Sequence, residues 1–174
     1  MTEVIPEYKT LQENKEFLRW SKEHKGYLSH IFSFLDENKE YQIGFCDEKG
    51  DSITVFTIVG DSVKKGKAEE IFKQPDSKVL PLDIDEVSIG FDEAVNIARG
   101  FHETNHDGHL ISKQIVILQH LEIGQVYNIT FVTQTFKTSN IKVDADNGKI
   151  LEDKFSSLFD IVKEQHGKDT SYIG

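Results

Sequence analysis

The sequence is poor in cysteine. Its 174 residues include one, Cys46, so an internal disulfide framework is excluded and a reducing compartment is indicated. Cys46 lies inside a strand-like run, where a free cysteine usually behaves as a small buried hydrophobic residue. We therefore predict a structural role for Cys46 rather than a nucleophilic one.

The sequence also lacks long apolar runs. No stretch approaches the roughly 18 apolar residues that a membrane-spanning helix needs. The N-terminus, Met-Thr-Glu-Val-Ile-Pro-Glu-Tyr, has neither the basic segment nor the apolar segment of a secretion signal. These two absences predict a cytoplasmic protein with no membrane partner.

Basic residues are outnumbered by acidic ones. The 20 lysines and arginines stand against 30 aspartates and glutamates, which gives a formal net charge of −10. Such a charge repels phosphate backbones, so nucleic acid is not an expected partner. A hydrophobic content of 37% is enough for a packed core.

The first half of the chain has the pattern of a helix followed by a meander. Apolar spacing predicts a helix over 10–24, and strands are predicted over 27–35, 40–46 and 52–59, with turn residues between them. A short helix is predicted over 67–73. The three strands are expected to pair antiparallel.

The second half repeats this order. A helix is predicted over 91–103, because apolar residues recur on one face with helical spacing. Strands are predicted over 110–120, 125–134 and 139–145, and Asn147-Gly148 favours a tight turn after them. A closing helix is predicted from an apolar stripe made of Phe155, Leu158, Phe159 and Val162.

The two halves also match residue by residue, which indicates an internal repeat. One strand of each half has the same apolar pattern, and the next strand matches after a small shift: Tyr41, Ile43 and Phe45 with Tyr127, Ile129 and Phe131, then Ile53 and Val55 with Ile141 and Val143. The alternative is that any two meanders share a period of two. The predicted fold is α+β, with two helix-plus-three-stranded antiparallel meander units over 1–80 and 81–174, packed as one compact body, and a C-terminal helix.

The second unit resembles the PepSY domain. The resemblance lies in Phe-Asp-Glu-Ala-Val-Asn-Ile-Ala at the helix, Tyr-Asn-Ile-Thr-Phe in the middle strand, and Ile-Lys-Val-Asp-Ala-Asp-Asn-Gly-Lys-Ile-Leu at the end. It covers 87–152, and a degenerate copy covers 11–63. The resemblance implies a non-catalytic module of the kind found in propeptides of secreted peptidases, where it binds or restrains peptidases or other partners. It implies no catalytic residues.

The segment from His102 to His106 matches the HExxH pattern of zinc peptidases. There, two histidines one helical turn apart bind zinc, and the glutamate, Glu103 in this chain, activates water. The chemistry needs a third ligand, for which His109, His120, Glu122 and Glu152 are the available side chains. Asp107-Gly108 ends the predicted helix at once. In the alternative interpretation, His102 continues the core stripe and His106 lies near the helix C-terminus, where positive charge is favoured.

Two acidic groups lack the pattern of a calcium loop. One group comprises Asp83, Asp85 and Glu86, and the other Asp144, Asp146 and Asn147. Our leading hypothesis is therefore a non-catalytic module that binds another protein through exposed sheet surface or edge strands, without a cofactor. The alternatives are a zinc peptidase or metal-binding protein that uses His102 and His106, and a self-associating structural protein.

Overall fold

The computed structural model describes residues 5–71, 77–160 and 163. They include three α-helices, α1 (Pro6–Glu13), α2 (Lys15–Glu23) and α3 (Phe91–Asn105), and a 3₁₀ helix over Ile84–Glu86. Nine strands are described: β1 (Gly26–Phe34), β2 (Glu40–Asp47), β3 (Ser52–Val59), β4 (Ser62–Lys65), β5 (Glu69–Glu70), β6 (Ile111–Leu121), β7 (Gly124–Thr133), β8 (Lys137–Asp144) and β9 (Ile150–Ser157).

All nine described strands belong to one antiparallel sheet in the order β4-β3-β2-β1-β6-β7-β8-β9, with β5 also paired to β3. The two halves meet where β1 pairs with β6. In this antiparallel register Phe32 lies opposite Ile117, Ile31 opposite Leu118 and Ser33 opposite Val116. The predicted α+β fold of two similar units packed as one body is confirmed.

The α-helices pack on one face of this sheet. Phe17 of α2 lies 5.2 Å from Phe45 and 5.3 Å from Phe56, measured between ring centroids. Phe91, at the start of α3, lies 5.3 Å from Tyr41 and 5.1 Å from Tyr127. Because strand side chains alternate between faces, these aromatic residues mark the side of the sheet that holds the core.

The predicted helix over 10–24 is wrong in its bounds. The chain forms α1 and α2, separated by Asn14, whose backbone is extended at φ −75° and ψ 130°. The Asn14 side chain accepts hydrogen bonds from the backbone N–H of Glu16 and Phe17. Asparagine is a favoured N-cap, and its capping role explains why one helix ends and another begins there.

Each half has four main strands rather than three, because β4 returns along β3 and β9 returns along β8. The predicted helix over 67–73 is not found in its described part, which holds β5; residues 72 and 73 lie outside the described residues. The predicted C-terminal helix is confirmed, but it does not include Phe155, because that residue pairs with Ser139 in the β8–β9 hairpin. Helical structure begins at residue 158, and Val162 lies outside the described residues.

The two halves of the sheet have the same strand order, but one part of the sequence alignment is wrong. Phe56 pairs with Ile43 as Ile141 pairs with Ile129, so Phe56 is the equivalent of Ile141. The sequence comparison had matched Ile53 to Ile141 instead. Ile53 differs from Phe56 by an odd number of positions, and an odd shift moves a side chain to the opposite face of a strand.

Candidate functional site

The HExxH segment lies at the C-terminal end of α3. His102 is buried, with 2% of its surface exposed, and its Nε2 lies 2.7 Å from the backbone oxygen of His109. His106 is the C-cap residue, and its ring stacks on Phe155 with centroids 3.9 Å apart. Glu103 is exposed. His102 thus extends the buried stripe of α3, as the alternative interpretation predicted.

This arrangement occupies one of the two ring nitrogens of His102. A carbonyl oxygen only accepts hydrogen bonds, so His102 Nε2 donates its proton to the His109 carbonyl oxygen, and Nδ1 is the ring nitrogen that remains. That Nδ1 is buried and has no hydrogen-bond partner among the described residues. A cavity of about 190 Å³ adjoins His102, His106 and His109.

No group of three or more His, Cys, Asp or Glu side chains within residues 5–71, 77–160 and 163 could hold a metal ion. The four side chains that the sequence offered as third ligands do not complete such a group with His102 and His106. The zinc hypothesis stays a prediction that metal analysis would test.

The electrostatics of His106 differ from the sequence expectation. Burial lowers the pKa of His106, and the neighbouring His102 and His109 lower it further, while Asp153 opposes the shift. The helix C-terminus attracts positive charge, but at this position desolvation has the larger effect. His106 therefore favours its neutral form, in which the ring stacks on Phe155.

The two acidic groups from the sequence are brought together. Asp85 and Glu86 of one group and Asp144 and Asp146 of the other line a cavity of about 430 Å³. Asp144 accepts hydrogen bonds from the backbone N–H of Asp146 and Asn147, at 2.9 and 3.1 Å. The turn ends at Gly148, whose φ of +74° suits glycine. Asp144 therefore has a clear structural role in shaping this turn.

The largest unexplained feature is the face of the sheet opposite the helices, here called the open face. Its centre is an apolar strip of four side chains that neighbour one another on β1 and β6: Phe32, Phe34, Ile115 and Ile117. The Phe32 and Phe34 rings meet edge to face at 4.8 Å. Phe34 is 45% exposed. No described α-helix packs over this strip.

A polar strip continues the open face across β7, β8 and β9. Thr130 pairs with Ile115 on one side and with Asn140 on the other, and Asn140 pairs with Lys154. Asn140 Nδ2 donates to Asn128 Oδ1 at 2.7 Å and to Thr130 Oγ1 at 2.9 Å. We define the polar strip as Asn128, Thr130, Asn140 and Lys154.

The sequence analysis predicted exposed sheet surface but did not identify these residues. The alternation in β7 was visible, with Asn128 and Thr130 opposite Tyr127, Ile129 and Phe131. Strand β1 gave no such signal, because Phe32 and Phe34 on the open face are as apolar as Ile31 on the buried face. Only the pairing of β1 with β6 shows which apolar side chains are left uncovered.

Comparisons with known proteins identify no family. No family model matches the chain, and no curated protein matches it. A solved structure, that of a candidate lipoprotein from Clostridium difficile 630, matches with a TM-score of 0.55 at 17% sequence identity, covering 80% of this chain and 88% of that one. This likeness supports the fold.

The predicted cytoplasmic location is contradicted by this match, because lipoproteins are held at a membrane by their lipid anchor. The prediction rested on two absences, that of an apolar span and that of a secretion signal, and the single cysteine gave it only weak support because one buried thiol such as Cys46 fits either compartment. None of the described helices is long and apolar enough to cross a membrane.

Proposed function

We propose that this protein is a non-catalytic binding module that holds another protein on the open face of its sheet. The observation that carries the proposal is the apolar strip, which two neighbouring central strands present without a covering helix. Protein interfaces commonly have an apolar, aromatic centre and a polar rim. The apolar strip and the adjacent polar strip have this arrangement.

The extent of the open face supports the same function. Neighbouring strands lie about 4.8 Å apart, so the four steps from Phe34 on β1 to Lys154 on β9 span about 19 Å. The five strands that carry it have eight to eleven residues, or about 26 to 36 Å at 3.3 Å per residue, so the area is about 500 to 700 Å². This approaches the roughly 800 Å² that one partner buries in an ordinary interface. The surface is therefore large enough for a specific protein complex.

The resemblance to PepSY domains agrees with a binding role and stays a proposal. It relies on the helix α3, the strand β7 and the turn at Asp144 to Gly148. We propose that the first half is a divergent copy of the same unit, since β1 to β4 repeat the order of β6 to β9. The zinc peptidase alternative gains no comparable support from the arrangement around His102.

Site-specific photo-crosslinking tests the proposed surface. A photoreactive phenylalanine analogue would replace Phe34 on the open face or Leu18 on the helical side, in the organism that makes the protein. These positions are matched, because Phe34 is 45% and Leu18 44% exposed. We expect a discrete crosslinked product from position 34 alone, which excess wild-type protein suppresses and a Phe34→Asp variant does not.

The proposal fails if position 34 gives no product or if both positions give the same products. Circular dichroism spectra and melting temperatures of each variant would show that the fold is retained. Since Phe34 is about half exposed, its replacement is expected to change stability little.

A further inference from the structure

We infer that the open face recognises an acidic segment of its partner, with a carboxylate bound at the polar strip and an apolar side chain about three residues away bound at the apolar strip. This inference rests on the proposed function and adds the chemistry of the partner. It depends on three features of the described residues: the charges of the open face, its free hydrogen-bond donors, and the distance between its two strips.

The charge of the open face differs from that of the whole chain. Its outward strand positions hold four lysines and four carboxylates and are therefore neutral in sum, namely Lys64, Lys113, Lys142 and Lys154 against Glu40, Glu69, Asp144 and Glu152. The chain as a whole carries −10. The excess of negative charge therefore lies elsewhere, and the open face is the side that an anionic partner can approach.

The lysines of β8 and β9 are not equivalent. Lys142 Nζ lies 2.6 Å from Glu152, so its charge is already paired. Lys154 is exposed and forms no salt bridge with any residue that the structure describes. Lys154 is thus the cation beside the polar strip that can pair with a carboxylate from outside.

The polar strip also presents hydrogen-bond donors. Both protons of the Asn140 amide are used, one on Asn128 Oδ1 and one on Thr130 Oγ1. That leaves the Asn128 amide protons and the Thr130 hydroxyl proton without an acceptor among the described residues. Donors beside a lysine match a carboxylate, which only accepts hydrogen bonds.

The spacing of the strips sets the partner's pattern. Phe34, Ile115, Thr130, Asn140 and Lys154 follow one another across neighbouring strands. Two strand steps separate Ile115 from Asn140, which is about 10 Å. A polyproline II segment advances about 3.1 Å per residue with three residues per turn, so side chains three positions apart lie on the same side of it, about 9 Å from one another. That distance matches a side chain over Ile115 and a carboxylate at Asn140.

The acidic loop residues Asp36 and Glu37 determine which end of the partner segment lies at which strip. They line a cavity of about 460 Å³ together with Phe34 and Lys113, at the end of the strips opposite Lys154, and Glu40 pairs with Phe34 on the neighbouring strand. Three carboxylates against one lysine leave this end negative, so a carboxylate placed there would meet an excess of like charge, which is unfavourable. The anionic group of the partner is therefore assigned to the polar strip and its apolar group to the side of Phe34.

The test uses capped synthetic peptides with leucine and aspartate three positions apart, and matched peptides in which asparagine or lysine replaces aspartate. Binding is followed by NMR of the ¹⁵N-labelled full chain. We expect the aspartate peptide to bind about fivefold or more tightly than the asparagine peptide, with shifts in β1, β6 and β7 and in the Asn128 amide. The difference should shrink between 50 and 300 mM salt.

A charge reversal sharpens the test. Lys154→Glu is expected to remove the preference for aspartate, whereas Lys22→Glu, an equal charge change on the exposed side of α2, is expected to retain it. Equal binding of the aspartate and asparagine peptides at the open face overturns this inference and leaves the proposed function standing.

Peptide shifts confined to α1, α2 and α3 would overturn both the inference and the proposed function. The absence of binding by every peptide overturns the inference, while the crosslinking at position 34 decides the proposed function separately.

Discussion

Gly44 is the position where one methyl group tests the packing of the open face most directly. It lies on β2 beneath the ring of His30, and a Cβ built there would lie 2.7 Å from His30 Nδ1 and 2.9 Å from Nε2, and closer still to Cε1. The ring is held in place, because Nδ1 lies 2.9 Å from Ser29 Oγ, which itself donates to the Gly44 carbonyl. Gly44→Ala must therefore displace a fixed, largely buried side chain.

The expected magnitude follows from two opposing effects. Overpacking typically costs about 1 to 3 kcal/mol. Replacing glycine with alanine in a strand gains roughly 0.5 to 1 kcal/mol, because the unfolded chain loses freedom. We expect Gly44→Ala to lower the free energy of unfolding by about 1 to 2 kcal/mol, which corresponds to roughly 2 to 8 °C in melting temperature.

A double-mutant cycle separates the contact with His30 from other effects. In a His30→Ala background the space above position 44 is empty, so Gly44→Ala is expected to stabilise by about 0.5 to 1 kcal/mol. Gly100→Ala on α3 is the control, since no atom lies within 4 Å of its added Cβ, and it should stabilise in both backgrounds. Urea unfolding measures all variants. An equal cost of Gly44→Ala with and without His30 would refute the reasoning.

Two further predictions concern pH and metal. Burial lowers the pKa of His30 and of His106, so between the folded and unfolded pKa values the unfolded chain binds more protons. The free energy of unfolding is therefore expected to fall as pH drops below about 6.5 and to level off below the folded pKa values. Urea titrations should show a smaller fall for the double variant His30→Gln, His106→Gln. After incubation with zinc and dialysis, elemental analysis is expected to find less than one zinc per chain. A content of one zinc per chain in the wild type that is lost in His106→Gln would contradict this prediction.

Part of the fold could be predicted because local signals agree with tertiary packing. The turn Asn147-Gly148 and the alternation around Tyr127 defined the β7 and β8 strands to within about two residues. The helix α3 was predicted because the apolar spacing that begins at Phe91 has a single face. Each of these segments has one buried side and one exposed side, and this asymmetry is what a sequence pattern records.

Other parts could not be predicted because no local signal distinguishes them. Strand β3 is apolar on both faces, so the sequence did not show that Phe56 rather than Ile53 faces the core. Strand β9 was missed because it is an edge strand with several charged residues and so lacks an apolar strand pattern. Its Phe155 fits an apolar helical stripe equally well. The pairing of β1 with β6 joins residues far apart in the chain, and it determines the centre of the open face.

The candidate site was predicted even less completely, for a related reason. HExxH is a local pattern, yet its meaning depends on what surrounds it, and here the His109 carbonyl and the Phe155 ring occupy the space around His102 and His106. The open face has no local pattern apart from the alternation in β7. It consists of side chains from β1, β6, β7, β8 and β9, which only the sheet order brings together.

The edges of the sheet explain how an uncovered apolar strip fits the fold. An exposed edge strand invites pairing with another chain, and charged side chains discourage it. Edge strand β9 carries Glu152, Asp153 and Lys154, and the other edge, at β4, carries Lys64 and Lys65. Charges at both edges disfavour the self-association that the sequence left open. The apolar strip lies three to four strands from the β9 edge, so this protection leaves it available to a partner that approaches the open face directly.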